Sequence, residues 1–336
     1  MNSKERVIKS LRFEEVDRVP RDLWTLPAIS MFRQNELDAL LALIEFDMER
    51  PDYCYGTGRR CSGNPNRRGG YTDAWGSEWS VAESGVIGEV KRCPLADWAA
   101  LRHYEPPWEV LEGADLSNVN ASCSGSGKFM LAGTGVNPFE RMQFLRGTED
   151  LFMDLASEER EIYLLRDMLQ EYYLREIRMW VKTDVDAIQF SDDWGTQRAM
   201  LISPALWRKF FKPMYKGYCD IIRGSGKFVF FHSDGNIEAI YPDLIEIGVN
   251  AVNSQLFCMD IERLGELYAG RIAFWGEIDR QRVLPFGKPQ DVRSAVDRAA
   301  KALLRHGRTG VIAQCEWGKN DPMENIRAVF EQWGEY

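Results

Sequence analysis

The side chains able to do chemistry fall at the ends of short apolar runs. KFVFFH (Lys227 to His232) is nearly all β-branched or aromatic and ends in one of only three histidines. Side chains alternate along a strand, so Phe228, Phe230, His232 and Asp234 share one face if the strand runs that far. VIAQC (Val311 to Cys315) puts Cys315 on the face of Val311 and Ala313, and that face is expected to point into the same space as His232. Histidine, aspartate and cysteine are all zinc ligands, and three of them with one open position make a catalytic site. Glu316, Gln255 and Cys258 could complete or replace the set. Each residue also has a plainer reading. A histidine is often held in a core by a carbonyl, and a free cysteine is often a small buried hydrophobe.

Asp192 and Asp193, in SDDWGTQ, are adjacent carboxylates that could work as a general acid/base pair, because like charges push one of them up. They could equally cap the following turn or pair with an arginine. Glu277 in WGEID is a third proton-handling candidate, beside a glycine that lets backbone approach a ligand. Four tryptophans lie at the same strand ends: Trp24, Trp194, Trp275 and Trp317. Together with Gln197 and Gln255 they are candidates for holding a substrate, and their flat faces suit a flat or aromatic one.

The elements that must position these groups are βα units. From about Gly127 onward, short apolar strands alternate with amphipathic stretches. The strands are KFMLAG (128–133), DAIQFS (186–191), KFVFFH, AVNSQ (251–255), IAFWGE (272–277) and VIAQC. Upstream, VPRDLW (19–24) and DYCYG (52–56) bring the count to eight, at which a parallel sheet closes into a barrel. The expected fold is a single (β/α)8 TIM-type barrel domain over residues 1–336, with an N-terminal extension and a hairpin insertion at Glu78 to Cys93; an open doubly wound sheet is the alternative. Arg59 to Gly70 reads as a loop, and Pro204 to Arg223 as one helix capped by Ser203. In a barrel all strand C-termini face one side, so the groups above would meet at one mouth.

Composition narrows the function. Acidic residues outnumber basic ones, 51 to 42, which gives no basic stripe for nucleic acid. The N-terminus is charged without the apolar middle of a secretory signal, and no apolar run would span a bilayer. Seven scattered cysteines without a CxxC pair point to a reducing, cytoplasmic setting.

Six segments resemble the uroporphyrinogen decarboxylase-like superfamily: KERVIKSLRFEEVDRVP (4–20), YTDAWGSEW (71–79), PFERMQFLRG (138–147), DDWGTQ followed by SP (192–204), FHSDGNI (231–237) and NDPMENI (320–326). The resemblance implies a (β/α)8 barrel and divides into decarboxylases and corrinoid-dependent methyltransferases. The decarboxylases carry an arginine-rich segment after the first strand, whereas this chain has RDLWTLPAISMF (21–32). The methyltransferase branch holds zinc with His-x-Cys and a later Cys. His232 and Cys315 match the outer positions, and Asp234 stands where the branch has a thiolate.

The resemblance thus implies zinc on His232, Asp234 and Cys315, with a harder ligand set suited to an oxygen leaving group. It further implies a small-molecule methyl donor, and a corrinoid carried by a separate partner protein as acceptor; Asp193 or Glu277 could then supply a proton to the leaving oxygen. A metal-independent decarboxylase using Asp192 or Asp73 is the competing expectation, and a barrel that only binds a ligand is a third.

Overall fold

The computed structural model describes residues 1–336. Eight parallel strands carry it: β1 (Arg21–Thr25), β2 (Met48–Glu49), β3 (Phe129–Gly133), β4 (Ala187–Ser191), β5 (Phe228–Ser233), β6 (Ala251–Ser254), β7 (Ala273–Trp275) and β8 (Val311–Trp317). From β2 to β8 each strand pairs with the next in sequence, and β8 returns to pair with β1. Between β1 and β2 the ring is drawn together by Asp47, whose N–H donates to the Arg21 carbonyl at 2.9 Å. Its buried carboxylate accepts from the Arg21 N–H at 2.8 Å and from Arg6 and Arg18. Helices lie between the strands, so the chain is a (β/α)8 TIM-type barrel.

Two apolar layers follow from strand alternation. The barrel interior is a small cluster including Met48, Phe129, Leu131, Phe230, Trp275 and Ile312. The helix Ser3–Leu11 plugs its lower end with Val7 and Leu11, and starts in a capping box between Asn2 and Glu5. The larger cluster lies between strands and helices and takes the opposite face of each strand: Ile188, Val229, Phe231, Val252, Phe274, Val311 and Ala313.

Three expected elements differ. The second strand is Met48–Glu49, not Asp52–Gly56. It pairs Met48 with Phe129 and Glu49 with Met130, and Pro51, with no N–H to donate, ends it. Cys54 instead bridges antiparallel to Asp115. The hairpin Glu78–Val81 with Glu89–Arg92 gains a third strand, Gly69–Thr72, at the end of the expected loop. The stretch after Ser203 is two helices, Pro204–Phe210 and Lys212–Gly224, broken just before Pro213; Ser203 caps the first by accepting from the Leu206 N–H.

Candidate active site

At the C-terminal mouth, the loops after β4 and β5 are zipped together. The Asp192 N–H donates to the His232 carbonyl and the Gly195 N–H to the Asp234 carbonyl, both at 3.0 Å. The Asp234 N–H in turn donates to Asp193 Oδ1 at 2.9 Å. Only glycines allow this approach. Gly235 has φ +77°, and a Cβ there would lie 2.1 Å from the Gly195 carbonyl oxygen. The zipper holds Asp193 and Asp234 on either side of His232.

His232 faces the interior, as its alternation with Phe230 requires, and its ring is tied to Asn253 by a 2.6 Å bond from Nδ1 to Oδ1. The Asn253 amide is itself fixed, because its NH2 group donates to the Trp275 carbonyl at 2.5 Å and to Gln314 Oε1. The oxygen must therefore face the histidine, Nδ1 must carry the proton, and Nε2 presents a lone pair to the mouth. Around that lone pair stand Asp193 Oδ1 at 3.5 Å and Asp234 Oδ1 at 3.7 Å. Ligand atoms of the three residues all lie within 4.8 Å of one another. Tetrahedral zinc with bonds of about 2.0–2.1 Å needs ligand separations of about 3.4 Å, close to these spacings. Asp234 Oδ1 is buried with no hydrogen-bond partner, which suits a cation that completes it.

Arg280, on the loop after β7, joins this cluster to other carboxylates. It pairs with Asp234 Oδ2, donates to Glu316 Oε1 at 2.5 Å and lies 3.7 Å from Glu277. Glu277 is 3% exposed, and burial pushes its carboxyl from the ordinary 4.5 up to about 8, against the pull of Arg280. Its Oε1 is buried without a partner. Glu277 is thus a carboxyl that can hold and release a proton near neutral pH. Because the native state keeps this proton longer than the unfolded chain, the contribution of Glu277 to stability is fully present below pH 4.5 and is lost as pH rises through about 8. Urea unfolding across that range is expected to show a shallower decline for Glu277→Gln than for the wild type; equal slopes would refute it. Glu140, above Asp193, is likewise raised, to about 7, by burial and then by the Asp193 charge.

Two cavities flank the cluster. A cavity of about 230 Å³ is lined by Gln197, Gln255, Cys258, Glu277 and Arg280, with the Cys258 thiol donating to both glutamine oxygens. A second, of about 510 Å³, is bounded by Asp22, Trp24, Glu49, Arg50, Gln189 and Glu316. Trp24 lies against His232, ring centres 5.2 Å apart, and edge-on to Trp275 below it.

The structure thus brings together His232, Asp234, Asp193 and Glu277, with Trp24, Gln197 and Gln255 at the rim. It separates others. Cys315 pairs in register with Leu23, packs in the strand–helix layer and faces away from the mouth; Gln314 and Glu316 hold the inward positions. Burial raises its thiol well above the ordinary range, so it stays protonated and is not part of the cluster. Asp192 is also turned outward and fully buried. It accepts from the Phe139 and Glu140 N–H groups at 2.7 and 2.8 Å and from the Tyr215 hydroxyl at 2.5 Å, so it caps the helix Pro138–Arg146. Trp194 is stacked on Phe139 and Trp317 donates to the Asp321 carbonyl, both in the outer layer. Trp275 lies in the barrel interior, its indole N–H given to Asp22. Asp73 is held by Arg141, Trp79 and the Ser77 N–H. Arg280, Glu140, Asn253 and Arg50 are the mouth residues that strand-end reading passes over.

No helix is long and apolar enough to cross a membrane. A search of curated proteins finds no match. Among solved structures, a methyltransferase from Methanosarcina mazei is similar over 100% of this chain and 99% of its own, with 18% identity and a TM-score of 0.72. An endo-β-1,4-xylanase from Gloeophyllum trabeum matches over 97% and 99% with 10% identity and a TM-score of 0.44. At such identities the first likeness speaks for the fold, and the second carries no argument. The family model of uroporphyrinogen decarboxylase matches residues 84–336, three quarters of the sequence and every strand of the barrel from β3 to β8, and the chain therefore belongs to the uroporphyrinogen decarboxylase (URO-D) family.

Proposed function

We propose that this chain is the catalytic subunit of a corrinoid-dependent methyltransferase system, moving a methyl group from an O-methyl substrate to a corrinoid carried by a partner protein. The observation that carries the reading is the His232 Nε2 lone pair, fixed by Asn253 and flanked by two carboxylate oxygens, one of them buried and unpartnered. Zinc would be held by His232, Asp193 and Asp234, and when bound it would supply Lewis-acid polarisation of the donor oxygen.

The chain's own residues do the rest. Asn253 keeps the imidazole in the tautomer that leaves Nε2 free. Arg280 orients Asp234 through its second oxygen and leaves Oδ1 to the site. Glu277, raised by burial, holds a proton that can pass to the leaving oxygen. Trp24 offers a flat apolar wall beside His232 that excludes water from one side. The Methanosarcina mazei neighbour, named as a methyltransferase, is in keeping with this branch of the family. The decarboxylase reading has less to stand on, because both its proton-handling residues, Asp192 and Asp73, are spent on structural hydrogen bonds.

The test is methyl transfer from 2-methoxyphenol to free cob(I)alamin, followed by the absorbance of methylcobalamin. Transfer that requires roughly one equivalent of zinc is expected. Full activity of chelator-treated protein, or carbon dioxide release from a carboxylated substrate without methyl transfer, would overturn it.

A further inference from the structure

We infer that the larger cavity binds the methyl donor through a negatively charged group, and that Arg50 is the residue that selects it. The inference rests on the methyl-transfer reading for the identity of the ligand, but its argument is an account of hydrogen-bond partners. Three carboxylates line this cavity, and each is already committed. Asp22 is buried, takes the indole N–H groups of Trp24 and Trp275 at 3.1 and 2.9 Å, and feels the Arg50 charge without a contact ion pair. Glu49 is paired with Lys128 at 2.9 Å and accepts from the Ser126 hydroxyl at 2.8 Å. Glu316 accepts from Arg280.

Arg50, at the end of β2, is the opposite case. Its one side-chain bond is a 3.3 Å contact to Gln189 Oε1, and it makes no ion pair. A guanidinium has five N–H donors in a fork that matches a carboxylate, so most of this one's capacity is unspent. The place matters as much as the vacancy of partners. Arg50 lines the same cavity of about 510 Å³ as Trp24, whose ring touches His232. A flat ligand against Trp24 would have its anionic end toward Arg50 and Gln189, and its other end toward the His232 cluster. Arg280, by contrast, already faces three carboxyl groups, Asp234, Glu316 and Glu277, which offset its charge. The donor class is therefore a planar O-methyl compound bearing a carboxylate, such as a methoxybenzoate.

Binding measured by tryptophan fluorescence and calorimetry tests this without turnover. The probes are 4-methoxybenzoate and its neutral counterpart 4-methoxybenzyl alcohol, at fixed ionic strength. Wild-type protein is expected to bind the anion about tenfold or more tightly than the alcohol, Arg50→Gln to erase the preference, and Arg50→Lys to keep part of it. Equal binding of the two probes, a preference that survives in Arg50→Gln, or no binding of either would overturn the inference. The methyl-transfer assay separates the two ideas. Transfer from neutral ethers with no anion preference sinks the Arg50 assignment alone. Arg50-dependent anion binding with no methyl transfer from any ether sinks the catalytic reading alone.

Discussion

His232→Ala is expected to weaken zinc binding more than about 100-fold and to reduce methyl transfer to background, whereas Cys315→Ala should leave both close to wild type. The contrast follows from where the two side chains point. His232 Nε2 faces two carboxylate oxygens at 3.5 and 3.7 Å. The Cys315 thiol sits in the layer between β8 and the helices, protonated and out of reach of them. Losing the thiol should cost only the packing of one small buried group, about 1 kcal/mol. Asp193→Asn completes the comparison: it removes the charge of a proposed ligand at a half-exposed position, so zinc affinity should fall while the melting temperature holds. Calorimetric titration of zinc into the three variants decides it. If Cys315→Ala loses the metal and Asp193→Asn keeps it, the assignment made from geometry is wrong.

Asp192→Ala is expected to cost stability, about 3–5 kcal/mol, rather than chemistry. Its carboxylate has no exposure and satisfies two N–H groups at the start of the helix Pro138–Arg146 as well as the Tyr215 hydroxyl. Alanine would leave all three donors buried without a partner and remove the cap from a helix N-terminus. Burial and the neighbouring Glu140 raise this carboxyl, and the three donors oppose them. A fall in melting temperature on the order of 10 °C is expected, with residual activity tracking the folded fraction. A variant that melts within a degree or two of wild type but has lost turnover would return Asp192 to the reaction.

Much of the barrel was legible because parallel strands with both faces buried read as short apolar runs between helical stretches. Seven of the eight strands lie where those runs predict. The second does not, because it is only two residues long and ends before Pro51, too short to leave a pattern. The place of His232 and Asp234 at the mouth was legible for the same reason: they close the most apolar run, and a barrel collects strand ends at one mouth. Arg280 was not. It lies on a loop past the end of β7 and reaches the cluster only because that loop folds back over the mouth.

The sequence by itself determined which segments become strands, what polar groups stand at their ends, and that His232 is among them. The tertiary structure alone decided which of two adjacent residues turns inward. In β8 nearly every residue is buried, so hydrophobicity carries no phase, and either Cys315 or Glu316 could have faced the mouth. The register with β1, which sets Cys315 opposite Leu23 and Glu316 opposite Trp24, settles it. The same choice falls between Asp192 and Asp193, where one carboxylate caps a helix and its neighbour stands beside His232. A pair of like residues contains no information about phase; the neighbouring strands, twist and closure of the barrel supply it.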